Sequence, residues 1–241
     1  MLEQKHMTYS NQPYTLNSLD TTHIVGYRES ADRINVSLCN LLSIHELESN
    51  EFLVHTAIDT INNEIWDEGN AQPLFKRHTN LPLTVRLQPG ARVMYLSNDM
   101  YQDGVCNGTV GIVTHMNAES KTVRIAFIGN KAIIDAHVTP KTVNFTINGN
   151  PASRTQFPLQ NCFALTVHKS QGLTLPQISV FLDSQFFAPG QAYVALSRAP
   201  SWNAVEIPIL KKEAFTVNRS VVDEYNRLER VAETNPFGLS L

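Results

Sequence analysis

The spacing of hydrophobic residues changes twice along this chain, from a mixed pattern to a run of short strands and back again. His23–Tyr27 is a short apolar run that predicts a buried strand, and the residues after it have the spacing of a helix. The apolar positions of that helix are Ile34, Leu38 and either Leu41 or Leu42. We expect Ser30 or Asp32 to cap it. A strand that leads into a helix is the unit from which α/β folds are built.

The next stretch carries two kinds of pattern. Phe52–Val54 predicts a strand, whereas Ile58, Ile61 and Ile65 have helical spacing and favour a helix. Two more strands, joined by a turn at Pro89-Gly90, are predicted at Val85–Leu87 and Arg92–Leu96.

Residues 103–158 have only strand and turn patterns. The predicted strands are Gly108–Val113, Thr122–Ile128, Ile133–Val138 and Val143–Ile147. Asn117–Ser120 and Asn148–Pro151 have the composition of tight turns between them. Several short strands at close spacing predict a small β-barrel.

The α/β pattern resumes after the barrel. The predicted elements are a strand at Cys162–Val167, a loop at His168–Gly172, a strand at Ile178–Leu182, a helix at Gln191–Arg198, a strand at Ala204–Leu210 and a helix at Val221–Val231. We therefore predict a discontinuous α/β domain over residues 21–102 and 159–235, with a barrel inserted at 103–158. Residues 1–20 are interpreted as a tail or the remnant of a preceding element, and 236–241 as a tail.

Composition limits the classes of function. The chain has 241 residues, 42% of them hydrophobic, which is enough to bury a core. Its formal net charge is −3, so any contact with DNA must come from local positive groups, backbone amides and hydroxyls. Cys39, Cys106 and Cys162 lie far apart and match no metal-ligand spacing, which predicts buried free thiols and no metal site.

No signal peptide or membrane-spanning stretch is evident. The first ten residues are polar, and no later apolar run approaches the length of a membrane span. We expect a soluble, intracellular protein.

The loop after the strand at Cys162–Val167 has the residues needed to hold phosphates. Thr166, His168 and Ser170 can donate hydrogen bonds to phosphate oxygens, and Lys169 adds a positive charge. Gly172 lets a ligand approach the backbone more closely than a side chain would allow. The alternative is an ordinary polar loop between a strand and a helix.

Two arginines are further candidates. Arg198 ends a short helix, where it can stabilise negative charge on a phosphoryl group in transfer, or can simply complement the helix dipole. Arg28 follows the first strand and can reach a phosphate, or can serve in a surface ion pair. The sequence contains no G-x-x-x-x-G-K-[ST] loop, and none of its 11 glycines is followed by lysine.

Four segments in this order resemble the Pif/RecD-like helicases of superfamily one, and in particular the Pif-one-type branch. His23–Asn35 resembles the fourth helicase motif, and Leu87–Val113 resembles the entry into the family's barrel insertion. FPLQNCFALTVHKSQGLTL resembles the fifth motif, and GQAYVALSRAPSWNAVEI resembles the sixth. The resemblance covers residues 21–210.

The resemblance implies a RecA-like second motor lobe (2A), of the P-loop NTPase type, with an inserted barrel of the Src-homology-three type (2B). It implies that Arg198 is the arginine finger on the ATP γ-phosphate and that Arg28 contacts the nucleotide. The resemblance also implies that Thr166, His168, Lys169 and Ser170 contact single-stranded DNA, and that Gln171 and Gly172 couple the DNA to the nucleotide. The family uses ATP and Mg²⁺, but the motifs that bind them in its first lobe are absent from this sequence.

The expected function is therefore that of the C-terminal lobe of an ATP-dependent 5′-to-3′ DNA helicase, with roles in DNA repair, recombination or telomere maintenance. Because an arginine finger cannot position a nucleotide without a phosphate cradle, we expect negligible ATPase activity from the chain alone. A separate first lobe is an expected partner, and the expected location is the nucleus, with the mitochondrion as the alternative. Two other functions stay open: a non-catalytic module that binds single-stranded nucleic acid, and a remnant of a mobile-element helicase.

Overall fold

The structure is a computed structural model that describes residues 14–15, 17–45, 52–66, 74–129 and 132–234. Within these ranges no helix has both the length and the apolarity needed to cross a membrane. The described chain divides into two units. Unit one comprises residues 23–30 and 165–234, and unit two comprises residues 14–22 and the described residues from 31 to 164. The predicted tails at 1–20 and 236–241 lie mostly or wholly outside the described residues.

The secondary structure begins with α1 (Asn17–Asp20), β1 (Thr22–Val25), α2 (Arg28–His45), β2 (Leu53–Thr56), β3 (Ile58–Ile61) and β4 (Glu64–Ile65). It continues with β5 (Thr84–Leu87), β6 (Arg92–Tyr95), β7 (Val110–Asn117), β8 (Thr122–Ile128), β9 (Ile133–Val138), β10 (Lys141–Ile147) and β11 (Asn150–Gln156). The last elements are β12 (Leu159–Asn161), β13 (Ala164–Thr166), α3 (Val167–Ser170), β14 (Ile178–Leu182), α4 (Gln191–Leu196), β15 (Val205–Leu210) and α5 (Arg219–Thr234).

Unit one is built around a four-stranded sheet in the order β13-β1-β14-β15, and β14 runs parallel to β15. The apolar run of β14 is buried, with Ile178, Val180 and Leu182 each 0% exposed. Such near-continuous burial is typical of a strand covered on both faces. Helix α4 packs Ala192 and Ala195 against the same core. In contrast, the side chains described on α5 are exposed.

Unit two is antiparallel. One sheet has the order β12-β6-β7-β8-β9, a second has the order β10-β11-β3-β4, and β2 pairs with β5. Strand β8 alternates between a buried and an exposed face: Val123, Ile125 and Phe127 are buried, and Arg124 lies outward in an ion pair with Asp135. The period-two pattern of residues 122–128 therefore has the packing that it predicts.

A buried ion pair joins two strands of unit two. Arg154 on β11 and Asp59 on β3 are register partners, and both are almost fully buried. Arg154 donates from Nε to Asp59 Oδ1 at 2.7 Å and from Nη2 to Oδ2 at 2.6 Å. It also donates from Nη1 to the carbonyl of Leu81 at 3.0 Å, and its guanidinium lies 5.4 Å from the ring centroid of Phe75.

Strands at residues 122–128, 133–138 and 178–182 have the predicted bounds. The predicted helix over Ile58–Ile65 is wrong, because Asn62 and Asn63 adopt positive φ (52° and 64°) and turn the chain into the hairpin of β3 and β4. Asn-rich turns of this kind are hairpin turns, and the helical spacing of the isoleucines was a coincidence.

Further differences concern the bounds of elements and one strand that was not predicted. Helix α2 already begins at Arg28, so Ser30 and Asp32 lie inside it rather than at its cap. The strand predicted at 162–167 is shorter than expected, because β13 covers only Ala164–Thr166 and Val167 already begins α3. Strand β11 was not predicted at all. Because β3 pairs with β11, and β6 with β7, antiparallel pairing begins well before residue 103.

Candidate functional site

The loop predicted to hold phosphates is a single helical turn, α3, that follows directly on β13. Its inner side is anchored by Val167, which is 3% exposed, and by Ser170, which is 0% exposed. The Ser170 hydroxyl donates to the carbonyl of Val167 at 2.8 Å. The turn therefore has a buried side that fixes its position and an outer side that is open to solvent.

The outer side contains most of the predicted contact residues. His168, Gln171 and Gly172 are exposed, while Thr166 and Lys169 are half-buried. The Thr166 side chain makes no capping hydrogen bond to α3. Ser170 departs from the prediction: its hydroxyl points into unit one and is already hydrogen-bonded, so this side chain supports the turn and is not available to a phosphate.

Gly172 has a left-handed backbone. Its φ is +83°, and a Cβ placed there would meet no atom of this chain within 4 Å. The glycine is therefore required by the backbone conformation rather than by crowding inside the chain. The open space beside it leaves the backbone accessible from outside.

Arg198 lies beside this turn although it is far along the sequence. Its Nη1 donates to the carbonyl of Leu173 at 3.3 Å, and the backbone carbonyl of Arg198 accepts from the amide of Leu175 at 2.9 Å. The structure thus brings together the two segments that the sequence singled out, the turn at 166–172 and the end of α4.

The guanidinium of Arg198 is also bonded to its own helix. Nε donates to the carbonyl of Val194 at 2.8 Å, and Nη2 donates to the hydroxyl of Ser197 at 2.9 Å. Together with the bond to Leu173, three of its five N–H donors are used. The side chain is half-buried and complements the carbonyl end of α4, which is the alternative role weighed from the sequence.

Arg28 is the first residue of α2 and is exposed at the end of β1. Two aromatic neighbours were not singled out from the sequence. Tyr27 precedes Arg28, and its ring centroid lies 6.0 Å from that of Phe187, in the loop after β14. Tyr27 is the last residue of the first predicted strand, and Phe187 lies in the loop after the strand predicted at Ile178–Leu182.

A metal centre is not supported among the described residues, which contain no group of three or more His, Cys, Asp or Glu side chains that could hold an ion. None of the three cysteines forms a disulfide; Cys39 and Cys162 are buried as expected, whereas Cys106 is half-buried. Burial raises the pKa of Cys39 to about 11 and that of Cys162 to about 12, so both thiols stay protonated and unreactive at neutral pH.

No family model matches the chain. Among curated proteins, the ATP-dependent DNA helicase PIF1 of Homo sapiens is 36% identical over 148 residues, which cover 61% of this chain and 22% of that protein. The ATP-dependent DNA helicase Pif1 of Bdellovibrio bacteriovorus is 30% identical over 208 residues, 85% of this chain and 44% of that protein. The chain thus spans less than half the length of either relative.

The fold is also similar to solved helicase structures. The crystal structure of a Pif1 helicase from Bacteroides in complex with ADP-AlF3 and ssDNA matches with a TM-score of 0.65 at 24% identity, over 95% of this chain and 48% of that one. The fold, the sequence relatives and the order of the motifs agree. By sequence and by fold, this chain belongs to the Pif1-type helicases of superfamily one and corresponds to their C-terminal part.

Proposed function

We propose that this chain provides the second motor lobe of an ATP-dependent 5′-to-3′ DNA helicase. The observation that carries the proposal is the hydrogen bond from the Arg198 guanidinium to the carbonyl of Leu173. This bond connects Arg198, which is proposed to contact the nucleotide, with the end of the turn that is proposed to contact DNA. In the proposed lobe, α4 presents Arg198 and α3 presents the DNA contacts.

Arg198 has two alternative sets of partners in this proposal. In the structure its N–H groups donate hydrogen bonds to the carbonyls of Val194 and Leu173. ATP supplies the phosphoryl group and the energy of its hydrolysis when it is bound. Arg198 would exchange its carbonyl acceptors for phosphate oxygens, because a charge-assisted hydrogen bond is stronger than one to a neutral carbonyl. The carbonyl of Leu173 is then released, and the turn at 166–172 is free to shift.

The DNA contacts are proposed for Thr166, His168, Lys169 and the backbone around Gly172, with Gln171 linking them to the nucleotide side. Hydroxyl, imidazole, ammonium and amide donors bind phosphate oxygens and carry little sequence information. With a net charge of −3 the chain has no general attraction for DNA, so we expect weak binding with a shallow salt dependence. Ser170 is left out, because its hydroxyl is buried and paired.

The remaining parts of the motor are assigned as follows. Unit one is proposed to be the RecA-like lobe 2A, and the antiparallel strands that include residues 103–158 are proposed to form the inserted barrel 2B. A first lobe outside this sequence would supply the phosphate-binding loop and the carboxylates for Mg²⁺. Arg28, at the end of β1, is proposed as a second contact to the nucleotide. The proposed location is with DNA in the nucleus, or else in the mitochondrion.

Binding of a fluorescein-labelled oligothymidylate at low salt tests the DNA contacts. Lys169→Ala should weaken binding and lower the slope of log K against log salt by about 0.7, the value for one phosphate contact on a single strand. Arg219→Ala, which removes one exposed positive charge at the start of α5, is the matched control and should leave the slope unchanged. Equal effects of the two variants would mean that binding is nonspecific electrostatic attraction, and they would refute the DNA contacts proposed for the turn at 166–172.

The second candidate function, a non-catalytic single-strand-binding module, is favoured by the missing phosphate-binding loop. The two candidates differ in the role of Arg198. In a motor lobe, Arg198→Ala frees the carbonyl of Leu173 and changes the affinity for the oligonucleotide. If the affinity is the same in Arg198→Ala as in the wild type, DNA binding is not coupled to this arginine, and the module is the better description.

A further inference from the structure

We propose that Tyr27 and Phe187 form an aromatic platform that stacks against a nucleobase. The inference rests on the proposed function, and it adds a base-binding element to a site so far described only by its phosphate contacts. The base would belong either to a free nucleotide or to a single strand of DNA, and the chemistry of recognition is the same for both.

The platform consists of two exposed rings side by side. The Tyr27 and Phe187 centroids are 6.0 Å apart, and the ring planes are inclined by 38°. Tyr27 is 48% exposed and Phe187 is 61% exposed, so much of each ring faces solvent. Single exposed apolar residues are ordinary, but an adjoining pair of aromatic rings is a surface that a planar partner can cover. Bases of any sequence stack on such rings, because every base has a π-face.

The loops that carry the rings are locked together. A Cβ at Gly26 would lie 2.3 Å from the backbone oxygen of Gln185, so glycine is required where β1 passes the loop after β14. The amide of Tyr27 donates to Gln185 Oε1 at 3.2 Å. Asp183 holds Gln185 in turn, accepting from its amide at 2.9 Å and from its Nε2 at 3.2 Å. The ring pair is therefore pre-organised, which reduces the entropy lost when a ligand binds.

The platform lies at the edge of the sheet where ligands are expected. Tyr27 follows the end of β1 and Phe187 follows the end of β14, and these strands are neighbours in the sheet. The contact between Tyr27 and Gln185 places the carboxyl ends of both strands at one edge. Open α/β sheets bind ligands outside this edge.

The chemistry around the rings favours a nucleotide over an apolar protein surface. Arg28 directly follows Tyr27 in sequence, at the start of the 18-residue helix α2, and is exposed. Ser184 and Glu29 nearby are polar and exposed. A surface made for an aliphatic partner would continue in apolar residues, whereas a ring pair followed in sequence by an exposed arginine suits a flat base attached to a phosphate.

The experiment measures the binding of three probes to the full chain: ADP, a ten-residue oligothymidylate, and an abasic oligonucleotide of the same length. The variants are Tyr27→Leu and Phe187→Leu, which remove a ring but keep apolar bulk, and Tyr27→Phe and Phe187→Tyr, which keep the ring. We expect each leucine variant to lose about 5- to 100-fold in affinity for a base-bearing probe, as expected for the loss of one stacked ring. The ring-retaining variants should match the wild type, and the abasic probe should not distinguish any variant.

A second readout does not depend on the variants folding. Ring currents of Tyr27 and Phe187 should move the base-proton resonances of the bound probe upfield in the wild-type protein. In the binding measurements, a loss of affinity confined to ADP identifies the free nucleotide as the occupant, and a loss of affinity confined to oligothymidylate identifies the strand.

The outcomes separate this inference from the proposed function. If base protons do not shift, and folded leucine variants bind both base-bearing probes as the wild type does, the platform is refuted. If Lys169→Ala still weakens the binding of oligothymidylate in that case, the proposed function stands without the aromatic platform. A wild-type chain that binds neither ADP nor oligothymidylate refutes both.

Discussion

Removing one partner of the buried ion pair between Arg154 and Asp59 should destabilise unit two more than any surface change. Asp59→Ala deletes two hydrogen bonds of 2.7 and 2.6 Å and leaves the guanidinium of a residue that is 1% exposed, whose remaining acceptor among the described residues is the carbonyl of Leu81. An uncompensated buried charge of this kind costs about 3–5 kcal/mol. Near the midpoint of thermal unfolding this corresponds to a decrease in Tm of about 6–20 °C for a unit of this size.

The double variant Asp59→Leu with Arg154→Met is the informative control. It removes both charges and fills the space with apolar side chains of similar volume, so we expect a stability within about 1–2 kcal/mol of the wild type or above it. If the cost came from lost packing around Phe75, the double variant would be as unstable as the single one.

The assay exploits the two tryptophans, which lie in different units. Trp66 belongs to unit two and Trp202 to unit one. In a Trp202→Phe background, fluorescence during urea unfolding reports unit two alone. A decrease below about 1 kcal/mol for Asp59→Ala, or equal losses for the single and double variants, would refute the reasoning from an unpaired buried charge.

Other predictions concern the site and the thiols. The chain alone should hydrolyse ATP at no more than background rate, and turnover that Arg198→Ala abolishes would contradict this. Gly26→Ala should lower stability by about 1–3 kcal/mol, because the new methyl group meets the backbone of Gln185; an unchanged urea midpoint would contradict it. Burial raises the pKa of Cys39 to about 11 and that of Cys162 to about 12, so the folded state favours the protonated thiols. The contribution of these thiols to the free energy of unfolding is complete below their unfolded pKa and is lost as the pH rises towards the folded values. Stability should therefore fall above about pH 9 by up to about 1.4 kcal/mol per pH unit for each thiol, and Cys162→Ala should flatten the fall.

The sequence predicted best where pattern and packing coincide locally. Residues 122–128 alternate strictly, and the strand that they form buries Val123, Ile125 and Phe127 as the alternation requires. Residues 178–182 form a buried strand between turn signals, for the same reason. Arg198 and the turn at 166–172 were singled out because they carry residue types that their local elements do not require for packing, and their roles stay predictions.

The failures arise where distant residues decide the structure. The isoleucines at 58–65 have helical spacing, but the pairing of β3 with β11 and the Asn62-Asn63 turn override it. Ser170 was predicted to face a ligand because of its hydroxyl, and only the fold reveals that its hydroxyl is directed inward. The ring pair of Tyr27 and Phe187 was missed because the two residues are 160 positions apart and meet only through the sheet.

The pairing of β3 with β11 has a consequence for synthesis in the cell. The ion pair that joins these strands spans 95 residues of sequence. At ribosomal rates of about 5–20 residues per second, β3 must wait about 5–20 s before its partner has been made. During that interval Asp59 and the edge of β3 that later pairs with β11 are without their partner, so the growing chain exposes an unpaired strand edge of the kind that is prone to aggregation.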